Sequence, residues 1–369
     1  MLEITEIESL GDWLLHRERF DTLAGSYFTC RFSWLSAAWL HCSRPGDRLS
    51  VLCVSRGGEP IAYLPLFGRE HSLHGRCLQL VGSGKPCSDR MGVFVAAEDC
   101  GAACDALADH LRNQGEAGAW DWLELDGVQI RDPRMQRFLA SLRRVFGQGL
   151  YEQRQLNCWE ITLPNSWEAY LMQCGKNSRH EYRKLGRDYF ETGRVVPKIA
   201  ASKGESLSQL AEITKLHQRR RHSIDSSGCL DSEGFERFLE NAATNLVEEK
   251  TWFSMLIEVD GSIAGGVVGA IDPAERLSLY LVGMEPELSA HRPGTLTNLA
   301  AVRYAIDSNC KILDFMRGDE EYKRRMGGQA IGQYVWRAAA PRVLPRLRGS
   351  VFQAGSAVKR WLKPEPVAT

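Results

Sequence analysis

The chain has 369 residues, of which 44% are hydrophobic and 25% charged, a composition that excludes the disordered and fibrous classes. This length exceeds that of one ordinary hydrophobic core, so two domains are expected. The 46 basic side chains equal the 46 acidic ones, and no overall field therefore draws the protein to DNA or to a membrane. Any electrostatic recognition must be local.

The eleven cysteines are odd in number and include no CxxC pair, a pattern that argues against a disulfide or zinc framework. Residues 1–20 mix acids and bases into their apolar positions, and they lack the basic start and apolar middle of a signal peptide. No apolar run approaches the roughly 20 residues that a membrane span requires. The sequence therefore predicts a cytoplasmic protein with reduced thiols and no bound metal.

A β-hairpin is predicted in each half of the chain. Residues 49–67 contain two β-rich runs around a Gly-Gly turn, and residues 252–271 repeat this arrangement around an Asp-Gly turn. After each hairpin we predict a strand, a helix and a strand that ends in acids. In the first half these cover residues 77–95, 100–115 and 120–127, and in the second half they cover 276–287, 295–309 and 311–319. The repeated order predicts an α/β fold with mixed sheets, built as two tandem domains flanked by helices.

We place the two domains at residues 1–160 and 161–340, followed by a basic tail at 341–369. The tail carries six Lys or Arg residues and one Glu, with apolar residues at loosely helical intervals. Two interpretations stay open for it. It is a closing helix that docks on the body, or it is a surface that contacts anionic lipid.

Three helices are predicted between the halves and the second hairpin. The first covers residues 166–191 as one long helix. The second and third cover 205–224 and 232–250, and the glycine-containing segment 225–231 separates them.

Basic residues are concentrated on the first two of these helices. Arg179 and Arg183, with His217 and Arg221 on the next helix, are candidates for binding the phosphate of a nucleotide-sugar, a lipid pyrophosphate or tRNA. A solvated charged face that is paired with neighbouring acids explains the same residues equally well.

An anion site is predicted where the loop 286–294 enters the helix that follows it. Gly294 permits close approach of backbone N–H groups, which at a helix start attract negative charge, and Thr295 lies at this start. Arg292 can add a charge-assisted contact to a phosphate. Ordinary turn chemistry is the alternative for a Pro-Gly pair before a helix.

The densest set of charged residues follows the strand 311–316. Arg317, Asp319, Tyr322 and Lys323 lie just beyond its C-terminal end, which is where ligands bind in α/β sheets. An acid, a phenol and an ammonium group within four positions could supply a base, a proton donor and a countercharge. A salt-bridged surface turn is the alternative.

These residues resemble the acetyltransferase domain of the GNAT superfamily found in CelD-type polysaccharide-biosynthesis proteins. The resemblance covers about residues 165–335, and the matching positions are Tyr280, Pro293, Gly294, Asp314, Phe315, Arg317, Gly318, Asp319, Tyr322 and Lys323. A looser resemblance connects the chain to the Fem-type aminoacyl transferases, which have tandem GNAT halves and a lysine matched here by Lys323. The second resemblance implies aminoacyl-tRNA as the donor in place of acyl-CoA.

The resemblance implies direct acyl transfer without a covalent enzyme intermediate, on a GNAT-like fold in both domains. Asp319 is then the expected base, Tyr322 the hydrogen-bond donor or leaving-group acid, and Lys323 the countercharge. Acyl-CoA, with acetyl-CoA as the main expectation, would bind at a strand that diverges after Tyr280. The expected donor-binding residues are Tyr280, Val282, Arg292, Gly294 and Thr295, and the expected acceptor-binding residues are Arg179, Arg183, His217, Arg221 and Arg317.

The function implied by the resemblance is acyl transfer from acyl-CoA to an amine or hydroxyl of a polysaccharide or cell-envelope precursor. The domain at 161–340 is expected to be catalytic, and the one at 1–160 non-catalytic because it lacks the Tyr-Lys pair. The implied partners are a small-molecule or lipid-linked sugar acceptor and membrane-bound polysaccharide machinery at the inner membrane face, without DNA. The alternatives are a Fem-type aminoacyl-tRNA-dependent transferase and a non-catalytic scaffold subunit of polysaccharide biosynthesis.

Overall fold

The computed structural model describes residues 1–223 and 233–362. Its strands form two mixed β-sheets. The first sheet contains β1 (Leu2–Ile7), β2 (Arg48–Arg56), β3 (Glu59–His71), β4 (Gly75–Leu80), β5 (Phe94–Val95), β6 (Trp122–Gln129) and β7 (Leu150–Arg154). The second contains β8 (Cys158–Thr162), β9 (Val195–Ile199), β10 (Trp252–Val259), β11 (Ser262–Asp272), β12 (Arg276–Met284), β13 (Ile312–Arg317) and β14 (Gln329–Ile331). A last strand, β15 (Gln333–Ala339), belongs to the first sheet.

The strand order is β1-β2-β3-β4-β6-β15-β7 in the first sheet, with β5 paired to β3, and β14-β8-β13-β12-β11-β10-β9 in the second. All neighbours are antiparallel except β4 with β6 and β12 with β13. The predicted mixed sheets are therefore confirmed. The return of β15 differs from the predicted division, because a strand from within 161–340 completes the sheet of the first half.

Helices cover both sheets. In chain order they are α1 (Leu10–Leu15), α2 (Arg17–Ala24), α3 (Phe32–Cys42), α4 (Cys100–Ala117), α5 (Pro133–Phe146), α6 (Trp167–Gln173), α7 (Lys176–Leu185), α8 (Lys203–His222), α9 (Glu233–Glu248), α10 (Pro293–Asp307), α11 (Glu321–Arg325) and α12 (Val343–Leu362). The repeated unit of hairpin, strand, helix and strand is thus β2-β3-β4-α4-β6 and again β10-β11-β12-α10-β13. Both predicted hairpins are present, with left-handed φ at Gly57 and Gly58 and at Asp260 and Gly261, as two-residue hairpin turns require.

The predicted single helix at 166–191 is wrong. Cys174 is extended, with ψ 149°, and Gly175 starts a new helix, so that α6 and α7 are separate. A π-helical turn then runs over Gly186–Phe190. The helices predicted at 205–224 and 232–250 are present as α8 and α9, whereas the segment predicted between them at 225–231 lies outside the described residues.

Two large apolar clusters hold the layers together. One joins the core of the first half to α8, α9 and one face of the second sheet, and the other fills the opposite face of that sheet beneath α6, α7 and α10. Helices α8 and α9 therefore lie between the two sheets and belong to both halves. This arrangement brings the C-terminal end of α8 against β12.

Close packing of α8 on β12 depends on Gly283. A Cβ atom at this position would lie 2.6 Å from Ile213 O and 2.8 Å from His217 N, both of them backbone atoms of α8. Backbone atoms cannot be displaced without moving the helix, so only glycine permits this approach.

We expect Gly283→Ala to destabilise the protein by about 1–3 kcal/mol, because α8 must move away from the sheet. Urea unfolding followed by tryptophan fluorescence would measure the loss. Gly204→Ala in α8 is the matched control, since no atom lies within 4 Å of its added Cβ. Equal midpoints for the two variants would contradict the packing argument.

Candidate active site

The second sheet opens between its two parallel strands. β12 and β13 pair only at Arg276–Ser278 with Ile312–Asp314 and separate beyond those residues. β13 bends because a bulge interrupts its pairing with β8 between Asp314 and Arg317, with Met316 at φ 56°. The Met316 N–H donates to Asp314 Oδ1 at 2.7 Å, which holds the bend.

A cavity of about 930 Å³ occupies this opening. Its walls come from β12, the end of β13, the start of α10, the C-terminal end of α8 and the loop at 81–93. That loop belongs to the first half, so both halves contribute to the cavity. The volume is in the range of small-molecule and cofactor sites.

His217 is placed on the cavity wall with a defined tautomer. Its Nδ1 lies 2.9 Å from the Val282 carbonyl oxygen, which can only accept, so Nδ1 carries the proton and Nε2 of the neutral ring holds a lone pair. Nε2 is buried and has no hydrogen-bond partner among residues 1–223 and 233–362. Burial lowers the pKa of His217, and Arg221 adds to this effect against the opposing Val282 hydrogen bond. The ring is therefore neutral at neutral pH and can accept a proton.

Asp319 does not line the cavity. Its Oδ1 accepts from Asn157 Nδ2 at 2.7 Å and from Trp159 Nε1 at 3.0 Å, on the side of β8. Gly318, the residue before it, has φ 132°, a backbone conformation that favours glycine. The structure thus does not bring the expected base to the site.

Lys323 and Tyr322 both line the cavity but differ in surroundings. Lys323 is 2% exposed, and its Nζ donates to Arg317 O at 3.0 Å and Met316 O at 3.3 Å while pairing with Glu320. Its ammonium therefore holds the bent end of β13. Tyr322 has its ring edge-on to Phe315, at 5.8 Å between centroids, and is partly exposed.

Two expected donor-binding residues on β12 have structural partners. The Tyr280 hydroxyl donates to Pro86 O at 2.8 Å, and its ring packs edge-on against Trp34 at 4.8 Å, so this side chain joins the two halves. The Val282 carbonyl is bonded to His217. Both residues line the cavity, and their contacts shape it.

The expected anion site at the start of α10 is partly occupied by internal bonds. Arg292 pairs with Glu181 at 2.5 Å, and the Thr295 N–H donates to Arg292 O at 3.0 Å. A Cβ at Gly294 would lie 2.6 Å from Cε of the flexible Met284 side chain, which packs against this turn. All three residues line the cavity.

The five expected acceptor-binding residues separate into two groups. His217, Arg221 and Arg317 line the cavity, although Arg317 is buried in an ion pair with Asp89 at 2.8 Å. Arg179 instead donates to Leu171 O and caps the C-terminal end of α6. Arg183 pairs on the surface with Glu168 at 2.9 Å.

Lys85 and Asn298 are among the residues of the cavity wall that sequence reasoning missed. Lys85 lies in the Gly-Ser-Gly-Lys segment of the first half, a glycine-rich signal that could have singled it out. Asn298 on α10 is buried, and its Oδ1 has no hydrogen-bond partner in the described part of the chain. No local signal distinguishes this asparagine from others.

Metal-ligand clusters and membrane-spanning helices are both absent from the described ranges. No group of three or more His, Cys, Asp or Glu side chains there is arranged to hold a metal ion. No helix of this part of the chain combines the length and apolar character of a membrane span.

Residues 176–324 match the family model of the acetyltransferase (GNAT) domain. The second half of the chain is therefore similar to a GNAT acetyltransferase domain, and the opening between β12 and β13 lies within the matched residues. To this level, the predicted resemblance is confirmed. A search of curated proteins found no match.

Solved structures match both halves together. The crystal structure of FemX has a TM-score of 0.62 at 11% identity, over 95% of this chain and 99% of that one. The C-terminal domain of a putative lysylphosphatidylglycerol synthetase from Agrobacterium fabrum has a TM-score of 0.55 at 9% identity, over 94% and 96%. A protein of unknown function from Bacteroides thetaiotaomicron scores 0.55 at 12% identity, over 92% and 100%. At these identities the likeness shows the fold, and the predicted tandem GNAT-like architecture is confirmed.

We expect Lys323→Met to lower the free energy of unfolding by about 1–3 kcal/mol, because it leaves the Met316 and Arg317 carbonyls without their donor. Arg324→Met is the matched control, since Arg324 pairs with Glu321 on the surface, and should cost less than about 1 kcal/mol. Urea unfolding would measure both. Unchanged stability of Lys323→Met would contradict this structural role.

Proposed function

We propose that this protein transfers an acyl group, mainly acetyl, from acyl-CoA to an amine or hydroxyl of a polysaccharide or cell-envelope precursor. The observation that carries the proposal is the cavity between β12 and β13, inside the domain that matches the GNAT model. His217, whose buried Nε2 has no hydrogen-bond partner in the described part of the chain, is among the residues that line it. The proposed location is the cytoplasm, at the inner face of the membrane.

In the proposed reaction, His217 is the general base. The acceptor amine or hydroxyl attacks the donor carbonyl carbon and gives its proton to Nε2, and the new bond to carbon forms as the C–S bond breaks. Backbone N–H groups of β12 that lack a β13 partner would bind the oxyanion. Tyr322 donates a hydrogen bond to the leaving thiolate, because burial raises the pKa of this phenol and disfavours loss of its proton. The thiolate takes a proton from solvent, and His217 returns its proton to solvent.

The assignment of the base to His217 instead of Asp319 follows from geometry. Asp319 is held at β8 by Asn157 and Trp159, whereas His217 lines the cavity. A base must come within hydrogen-bond reach of the proton that it removes. Lys323 is proposed as a positioning residue, because its ammonium is bonded to the backbone of β13.

Charge around the cavity supports an acceptor that carries phosphate. Lys85 comes from the first half, and Arg220 and Arg221 come from the end of α8, on the walls of the same cavity. Guanidinium and ammonium groups bind phosphate oxygens through charge-assisted hydrogen bonds. A nucleotide-sugar or a lipid-linked sugar pyrophosphate fits this chemistry.

The first half is proposed to be non-catalytic, and its corresponding opening supports this. β4 and β6 pair only at Cys77–Gln79 with Trp122–Glu124. The loop at 81–93 fills the space beyond, where the Met91 N–H donates to Gly127 O at 3.1 Å. This loop thus lies where the second half has its cavity.

One observation favours the Fem-type alternative, in which the donor is aminoacyl-tRNA. The start of α10 offers few free groups to a pyrophosphate, because Arg292 is paired with Glu181 and the Thr295 N–H is bonded within the turn. A donor bound mainly through a larger nucleic-acid backbone would depend less on this turn.

Ligand-induced stabilisation separates the two donors. Acetyl-CoA, a longer acyl-CoA and charged tRNA would each be titrated into the full chain, with thermal unfolding as the readout. The proposal expects the acyl-CoAs to raise the Tm and release free thiol when acceptor is present. Stabilisation by charged tRNA alone would replace it with the Fem-type function, and no response to any donor would favour the scaffold alternative.

We expect His217→Gln to lower turnover by about 10²–10⁴-fold, the usual contribution of a general base, with an unchanged fold. In the native enzyme turnover should rise with pH as His217 loses its proton, and the lowered pKa puts this rise below pH 6.5. Thiol release measured between acidic and neutral pH would test both points.

Asp319→Asn is the matched control for this base. It should keep turnover within about threefold of the native enzyme and preserve the acidic limb of the pH profile, since a general base alone contributes far more. A large loss for Asp319→Asn together with normal His217→Gln activity would return the role of base to Asp319.

A further inference from the structure

Helix α12 is attached to the first sheet by one face. Arg342, just before the helix, donates to Trp120 O at 2.7 Å and to Gly115 O at 2.9 Å, and it pairs with Asp121. Farther along, the Phe352 ring packs against the rings of Trp122 at 5.7 Å and His74 at 5.1 Å. These contacts fix the orientation of the helix on the body.

The opposite side of α12 exposes an apolar row. Its residues are Val343, Leu344, Leu347 and Val351, each between 57% and 77% exposed. Leu344, Leu347 and Val351 follow helical spacing and so share one face. We call these four residues, with Arg346 among them, the α12 face. In the rest of the described chain, large apolar side chains are exposed singly or in twos.

Positive charge accompanies this row. Arg346 is exposed on the side of the helix next to Val343, and Arg348 lies at the border of the row. Neither arginine forms an ion pair in the parts of the chain that the structure describes. From Pro341 to Leu362 the sequence contains five Lys or Arg residues and no acid. An apolar row with unneutralised bases is typical of a helix that lies on an anionic lipid surface.

A second element extends the apolar surface. The turn between β3 and β4 contacts α12 through His74, which packs on Phe352. Its neighbour Leu73 is 69% exposed. Two separate elements thus present apolar side chains at this edge of the first sheet.

We propose that the α12 face is a docking surface for a bilayer that contains anionic phospholipid. A second copy of the chain is a poorer partner, because it would bring Arg346 and Arg348 of both copies close together, and neither arginine forms an ion pair in the described part of the chain. The proposal does not depend on the transferase reaction, since α12 lies on the first sheet and no residue of the α12 face lines the cavity.

Vesicle flotation of the full chain tests the proposal. Vesicles of phosphatidylcholine alone would be compared with vesicles that also contain phosphatidylglycerol, at low and high salt. We expect binding to the anionic vesicles only, weakened by salt because the attraction is partly electrostatic. Leu344→Glu combined with Leu347→Glu should reduce binding by about tenfold or more, since two leucines lose their burial in lipid.

Leu15→Glu is the matched control, because Leu15 on α1 is more exposed than Leu344 or Leu347 and distant from them in sequence. It should float as the native chain does. Thermal unfolding and acyl transfer in solution should be unchanged in all variants, which separates a failure here from a failure of the proposed function.

Three results would overturn the proposal: absence of native binding to anionic vesicles, equal binding to neutral ones, or undiminished binding of the double variant. Light scattering adds a further check on the partner. A native dimer that the double variant converts to a monomer would show that the α12 face joins two copies instead.

Discussion

Buried charge pairs between the two halves fix the geometry on which the cavity depends. Arg317 at the end of β13 pairs with Asp89 at 2.8 Å, and Arg90 pairs with Asp314 at 3.0 Å. Burial raises the pKa of Asp89, and Arg317 opposes that shift. Removing one partner of a buried pair costs about 3–5 kcal/mol, so neither half can move away without leaving a charge unpaired. The bent end of β13 is held open by the other half of the molecule.

One loop accounts for the difference between the two repeats. The segment at 81–93 fills the opening beyond β4 and β6, and the same segment supplies Asp89 and Arg90 to the end of β13. The second half lacks such an insertion, and its opening remains a cavity. The asymmetry of a repeated fold thus arises from a single connection, which closes one cleft and supports the other.

Local sequence patterns predicted the elements of the two repeats well, because each of these elements has its own chemical signal. The two-residue turns specify both hairpins, and helical spacing specifies α8, α9 and α10. The helix predicted across Gly175 failed because periodicity does not register a break when the residues on both sides keep the same apolar phase. Strand β15 was not predicted, and β-propensity does not indicate that a strand so late in the chain lies between β6 and β7 of the first sheet.

The residue types of the site were visible in the sequence, and their roles were not. Sequence alone pointed to β12, to the start of α10 and to the charged run after β13, which are the elements around the cavity. Only the tertiary structure shows that Asp319 is bonded to Trp159 outside the cavity and that the Lys323 ammonium donates to the backbone of β13. The hydrogen bond between His217 and the Val282 carbonyl is likewise visible only there. The reason is that spacing along a chain fixes which side chains share an element, whereas the contacts that set protonation, burial and access come from residues far apart in sequence.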